Sequence, residues 1–285
     1  MEYRASQDME TVLELSGMTK IEFAKTLGVS RVTLDKWLNG KSEISETNLS
    51  VFYEFAFSSG VRLNRIKEQL YREDIVRGKD VLLFHGAKTR LDGALSLEHS
   101  RKNNDFGEGF YCGESLEQSA MFVSNFPNSS LYMLIFTDTN LRSKVYGVER
   151  DWMLMIAYYR NRLGEFADSP VIKRLVRLNQ DADYIIAPIA DNRMFEIIDQ
   201  FIDGEITDEQ CRHCLSATNP GNQYVFKTDK ALSAVQIKER CFLPASEKRF
   251  YLTSRQESVE MNRDKVKLAR RRYRNKGHYI EEILK

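Results

Sequence analysis

No run of about eighteen apolar residues occurs along this 285-residue chain, so a membrane-spanning helix is not expected. The opening stretch, MEYRASQDME, lacks the basic-then-apolar build of a secretory signal. Cysteine is scarce. Four residues, Cys112, Cys211, Cys214 and Cys241, are too few for a disulfide scaffold at this length, and a reducing cytoplasm is the expected compartment. An excess of charge is missing too, since the formal net charge is +1 and points to no partner. Cys211 and Cys214 frame His213 in a CRHC tetrad, but no second Cys/His pair follows to complete a zinc site. TDEQCRHCL reads as a helix capped by Thr207 rather than a redox loop, and no metal site is expected.

What is present suits two packed modules. Hydrophobic residues make up 42% of the chain and aromatic residues 11%, enough to fill real cores. In MTKIEFAKTLGVSRVTLDKWLNG, residues 18–40, apolar Ile21, Phe23, Ala24 and Leu27 stand at helical spacing. Gly28 permits a left-handed turn, and small Ala24 lets two helices cross closely. Ser30 then caps a second helix whose Leu34 and Trp37 face inward. These residues resemble the Cro/repressor type of helix-turn-helix over most of residues 8–70. A first helix is expected at Asp8–Ser16, with later helices from SETNLSVFYEFAFS and VRLNRIKEQLY. The resemblance implies that Arg31, Thr33 and Lys36 face a DNA major groove, with Lys41 on phosphate. Residues 1–75 nevertheless hold 10 Lys/Arg against 12 Asp/Glu, a net −2, whereas DNA affinity draws on phosphate neutralisation. Docking to a protein such as an antitoxin is the alternative. YREDIVRGKD, residues 71–80, reads as the joint to the next module.

After the joint, Val81–Phe84 is a short strand candidate ending on His85-Gly86. Then comes NDFGEGFYCGESLEQSAMF, residues 104–122, with Gly107, Gly109 and Gly113. A dinucleotide fingerprint needs G-x-G-x-x-G, and this spacing is G-x-G-x-x-x-G; no Lys-Ser/Thr follows as in a Walker loop. A tight turn at Gly107–Gly109, feeding a strand that displays Tyr111, fits instead, and the helix starts only after Glu114-Ser115.

A His-Gly at a strand end, a G-x-G-x-Tyr segment, then Ser119 and Phe122 resemble the NAD-binding core of ADP-ribosyltransferases of the poly(ADP-ribose) polymerase branch. A bacterial family sharing that core is more similar still. Asn222-Gln223, opening NQYVF, falls where the branch has Asn-Glu, and the resemblance covers roughly residues 79–245. It implies a split β-sheet domain with helical insertions and NAD as substrate. By resemblance His85 binds the adenosine ribose, the Gly86 backbone meets the nicotinamide amide, and Tyr111 and Phe122 sandwich the ring. Ser119 adds a hydroxyl to the carboxamide, and Gln223 bonds the nicotinamide ribose. Read alone, Phe122 belongs to a helical core face. Glutamine keeps the hydrogen-bonding shape of the branch's glutamate but loses its charge; Glu108 and Glu205 are nearby carboxylates.

SSLYMLIF, residues 129–136, and DYIIAP are further strand candidates, the second followed by Asp191 as a helix cap. VERDWMLMIAYYRNRLGEF reads as an amphipathic helix with Trp152, Met155, Ile156 and Tyr159 inward. Residues 260–285 hold 9 Lys/Arg against 4 Asp/Glu; Arg271 and Arg272 there are candidate nucleic-acid contacts, with Tyr273 as a stacking surface. The sequence thus predicts an α+β protein: a helix-turn-helix domain at 1–75, an NAD-binding domain at 76–250 and a basic tail at 251–285. The expected activity is mono-ADP-ribosyl transfer to a protein, nucleic acid or small molecule, in a toxin or phage-defence setting. The alternative is a DNA-binding regulator that senses NAD without turnover.

Overall fold

The computed structural model describes residues 2–75, 78–98, 100–218 and 221–285, apart from the side chains of 192 and 193. Residues 76 and 77, at the centre of the expected joint, lie outside the described residues. Helices α1 (Ala5–Ser16), α2 (Lys20–Thr26), α3 (Arg31–Leu38), α4 (Glu46–Ser58) and α5 (Leu63–Asp74) come first. Strands β1 (Asp80–Ala87) and β2 (Phe110–Gly113), helix α6 (Leu116–Val123), and strands β3 (Ser130–Thr137) and β4 (Ser143–Val145) follow. Next are α7 (Arg150–Tyr159), α8 (Pro170–Gln180), β5 (Tyr184–Pro188), α9 (Asn192–Ile202), α10 (Asp208–Ser216) and β6 (Asn222–Phe226). The chain closes with α11 (Asp229–Leu232), β7 (Val235–Cys241), α12 (Ala245–Arg272) and α13 (Ile280–Leu284). The strands form a seven-stranded mixed sheet in the order β4-β5-β6-β2-β1-β3-β7. The protein is therefore α+β, with its N-terminal region helical. Among the described residues no helix is long and apolar enough to cross a membrane.

Two compact units divide the chain: 1–91 with 116–135 and 236–254, and 92–115 with 136–235 and 255–285. In the first unit, local chemistry sets the helix ends. Ser30 accepts a bond from the Thr33 amide, and Gly28 sits at φ 71° between α2 and α3. Met9, Val12, Phe23, Leu34 and Phe52 are fully buried, with Ala24, Leu27 and Trp37 close behind. Ile21 departs from the expectation, being 61% exposed. It precedes Phe23 by two residues, roughly 200° around the helix, and so falls outside the buried Phe23–Ala24–Leu27 stripe.

This helical core does not close on its own residues. Phe242, just past β7, stacks on Tyr53 with centroids 4.6 Å apart and planes 6° from parallel. A buried ionic network joins the same parts. Lys67 Nζ donates to Asp8 Oδ2 at 2.7 Å and to Glu239 Oε1 at 2.5 Å. The hydroxyls of Tyr53 and Tyr71 donate to Asp8 and Glu239 respectively. Beside it, Asn64 donates to the Glu247 carboxylate at 3.0 Å and to the Phe242 carbonyl at 2.9 Å.

A second cluster in this unit packs Leu82, Phe84, Leu116, Ala120, Val123, Leu131 and Met133. β1 runs through His85-Gly86 instead of ending there, as the sequence reading had it. A Cβ on Gly86 would lie 2.7 Å from Val123 Cγ1 and 2.8 Å from the Ser119 carbonyl oxygen. Only glycine lets α6 cross the strand this closely.

In the second unit β2 pairs antiparallel with β6, β6 antiparallel with β5, and β5 parallel with β4. Six consecutive residues, Trp152 to Ala157, are buried, so α7 is enclosed all round rather than amphipathic. It stops at Tyr159, before Asn161 at φ 57° and a 3-10 turn at Gly164–Asp168, short of the expected end. Asp191 caps α9 through the Met194 amide, as expected. Thr207 likewise caps α10, where the Cys211 and Cys214 thiols are buried against the carbonyls of Ile197 and Val266.

Candidate functional site

The glycine stretch builds one corner of the second unit. Gly107 takes φ 72°, a conformation that side chains disfavour, and a Cβ there would lie 2.9 Å from the Tyr159 ring. Gly109 is required for a different reason: a Cβ there would meet Val225 Cγ1 at 2.8 Å and the Phe226 carbonyl at 2.9 Å. The bare backbone therefore brings β2 against β6, with Tyr111 opposite Val225 and Gly113 opposite Gln223. Paired residues share a face and alternate residues return to it, so Tyr111 and Gln223 project from the same side of the sheet.

Tyr111 is held by its own turn. Its hydroxyl donates to the Gly107 carbonyl at 2.7 Å and accepts from the Phe106 amide at 3.1 Å. Burial pushes the phenol well above its ordinary range, keeping it protonated. Lys227 Nζ ties the same turn by donating to the Phe106 carbonyl at 2.6 Å and to that of Glu108. Burial lowers the Lys227 ammonium to about 8.

Gln223 is buried at the start of β6. Its amide nitrogen donates to Asp105 Oδ2 at 3.0 Å and to the Pro188 carbonyl at 3.2 Å. Asp105 is in turn fixed by Arg160, whose Nη2 and Nε reach its Oδ1 at 2.5 and 3.1 Å, and by the Ala190 amide at 3.4 Å. Arg160 also donates to the Ala190 carbonyl and lies 4.2 Å over the Phe195 ring. Arg160 and Gln223 thus both donate to Asp105, and the carboxylate links the guanidinium to an amide on the face that carries Tyr111. Asp105 is the carboxylate partner of Gln223; Glu108 and Glu205, the nearby carboxylates of the sequence, both have exposed side chains.

The other NAD-assigned residues belong to the first unit. Half-buried His85 has its ring 6.5 Å from that of Tyr132, and the Ser119 hydroxyl donates to the Phe84 carbonyl at 3.3 Å. Phe122 is 61% exposed, which overturns its reading as a core residue: α6 buries Leu116, Ser119, Ala120 and Val123 instead.

On α3, Arg31 and Lys36 are exposed, as is Lys41 just beyond it. Thr33 is half-buried, and its hydroxyl is 2.9 Å from that of Ser30 within the helix cap. Asp35 stands 3.3 Å from Lys20 and 3.7 Å from Arg31, drawing on their charge. Val32, which the sequence reading passed over, is 65% exposed on this helix. In the second unit Arg271 and Arg272 are exposed at the end of α12. Tyr273 is not the open stacking surface expected, because His213 lies on it at 3.4 Å and 9°. Among the described residues no three His, Cys, Asp or Glu side chains are grouped to hold a metal ion.

The architecture defines a class: a helix-turn-helix module joined in one chain to a mixed α+β sheet. The helix-turn-helix family model matches residues 9–51, from within α1 into α4, and supports the Cro/repressor type. The chain belongs to the family described as Protein of unknown function (DUF3990), whose model matches residues 81–237, more than half of its length. No curated protein and no solved structure matches it.

Proposed function

We propose that the protein binds NAD, cleaves the bond between nicotinamide and ribose, and transfers ADP-ribose to an acceptor. One C–N bond breaks and nicotinamide leaves neutral. A bond forms between the ribose C1′ and a nucleophilic O, N or S of the acceptor, whose proton passes to solvent. The observation that carries this reading is the paired placement of Tyr111 and Gln223. A flat aromatic ring and a fixed amide share one face, as a pyridinium ring and its adjoining ribose require. The sequence resemblance assigns His85, Gly86, Ser119 and Phe122 to the same dinucleotide. Positive charge developing on the ribose is stabilised by oriented oxygen acceptors, and water exclusion strengthens them.

The helix-turn-helix supports DNA binding as a further property, with Arg31, Val32, Lys36 and Lys41 presented outward. One observation favours a second reading, a DNA-binding regulator that holds NAD without turnover: the carboxylate behind Gln223 is already neutralised by Arg160. The two readings separate in a single assay. Full-length protein incubated with NAD releases nicotinamide on chromatography, and Tyr111→Ala and His85→Ala abolish the release. Binding of NAD without release supports the regulator; equal release by parent and variants defeats both assignments of these residues.

A further inference from the structure

We propose that Asp105 is a positioning residue for NAD cleavage, acting through Gln223, and that the two form an acid–amide pair in which the carboxylate stands one hydrogen bond behind the amide. The inference rests on the reading above and deepens it.

A primary amide can present either its oxygen or its nitrogen to a ligand, and a ribose hydroxyl bonds to both. Here both hydrogens of the Gln223 amide have acceptors, one on Asp105 and one on the Pro188 carbonyl. That leaves the amide oxygen as the end that points elsewhere. The carboxylate accepts only, so it excludes the flipped amide, which would set oxygen against oxygen. Arg160 and the Ala190 amide keep Asp105 in place. Gln223 is thus fixed as an acceptor, the role in which it orients a ribose 2′- or 3′-hydroxyl and turns electron density toward the developing cation.

The pair also accounts for glutamine at this position. A glutamate at 223 would bring a second carboxylate within about 3 Å of Asp105, and one of two such groups must hold a proton. With Asp105 present, glutamine is the residue that completes the hydrogen bonds without a charge conflict. The anionic charge stands behind the amide rather than on it, and the two residues lie 118 positions apart.

The test exchanges acid and amide. Full-length parent, Asp105→Asn, Gln223→Glu and the double variant Asp105→Asn/Gln223→Glu are compared for kcat and KM of nicotinamide release between pH 5.5 and 9. Asp105→Asn lowers kcat roughly tenfold to a hundredfold, the loss expected for one charge-assisted hydrogen bond, with KM held within about twofold. Gln223→Glu alone is slow at low pH and gains rate as pH rises, because its shared proton must leave. The double variant restores the bond between the two side chains in reverse but leaves the Pro188 carbonyl and the Ala190 amide without their partners, so it recovers part of the lost activity, runs faster than either single variant and loses that pH dependence. A merely structural role for Asp105 predicts no such recovery. An active parent whose Asp105→Asn variant keeps its kcat, or a double variant no faster than either single one, overturns the positioning role while leaving NAD cleavage in place. A parent that neither binds NAD nor releases nicotinamide overturns the functional reading itself, and the positioning role with it.

Discussion

Each unit buries a small set of charges, and the two sets are built differently. In the first unit the Lys67 ammonium is enclosed by two carboxylates, Asp8 and Glu239, each of which also receives a tyrosine hydroxyl. Every member of that set turns inward, and the attraction of the carboxylates raises the lysine despite its burial. In the second unit the Arg160–Asp105 pair hands on to Gln223, an uncharged group at the edge of a strand. A closed set of charges holds elements together; an open one, ending in an oriented amide, can act on something else. Burying ions is costly in both cases, so the first set is explained by joining α1, α5 and β7, and the second by what it orients.

Breaking the closed set has the largest expected effect. Lys67→Met strands two buried carboxylates and lowers stability by about 3–5 kcal/mol, read as a lower urea midpoint at unchanged slope. A loss within half a kilocalorie would show that the set contributes only shape.

A pH series sharpens the comparison. Burial raises Glu247 from 4.5 to about 7, opposed by hydrogen bonds from Asn64 and Tyr251. The folded state therefore holds a proton that the unfolded chain releases near 4.5. This contribution is full below 4.5, declines as pH rises toward 7 and is gone above it, to a total of at most about 3 kcal/mol. Glu247→Gln removes that slope and makes the variant the more stable of the two at pH 8. Parallel stability profiles for parent and variant would contradict the burial argument.

The smallest effect concerns DNA. Asp35→Asn frees Lys20 and Arg31 from their shared carboxylate and tightens binding to duplex DNA several-fold at low salt. Lys36→Ala weakens it and reduces the salt slope by about one. Unchanged affinity in both variants, measured by anisotropy, would favour a protein partner for this surface.

What could be read from sequence was local. Ser30, Gly28, Thr207 and Asp191 mark helix boundaries because each cap uses a side chain or backbone preference within a few residues. Gly107 and Gly109 announced a turn into β2 for the same reason. The reading failed where tertiary contacts decide. Nothing in the pattern around Tyr53 reveals that Phe242 will cover it, and Asp105 looks like an ordinary turn residue until β6 brings Gln223 beside it. Helical periodicity places Phe122 inside, yet α6 has only eight residues and buries one narrow stripe, leaving that ring out. Tyr273 looks open in the sequence because its partner, His213, comes from another helix.

Saturation-transfer NMR of NAD with the full-length protein tests the central claim most directly. The account predicts the strongest transfer to the nicotinamide ring and its ribose, lost in Tyr111→Ala and weakened in Gln223→Ala. Transfer confined to the adenine half, or unchanged in both variants, would contradict it.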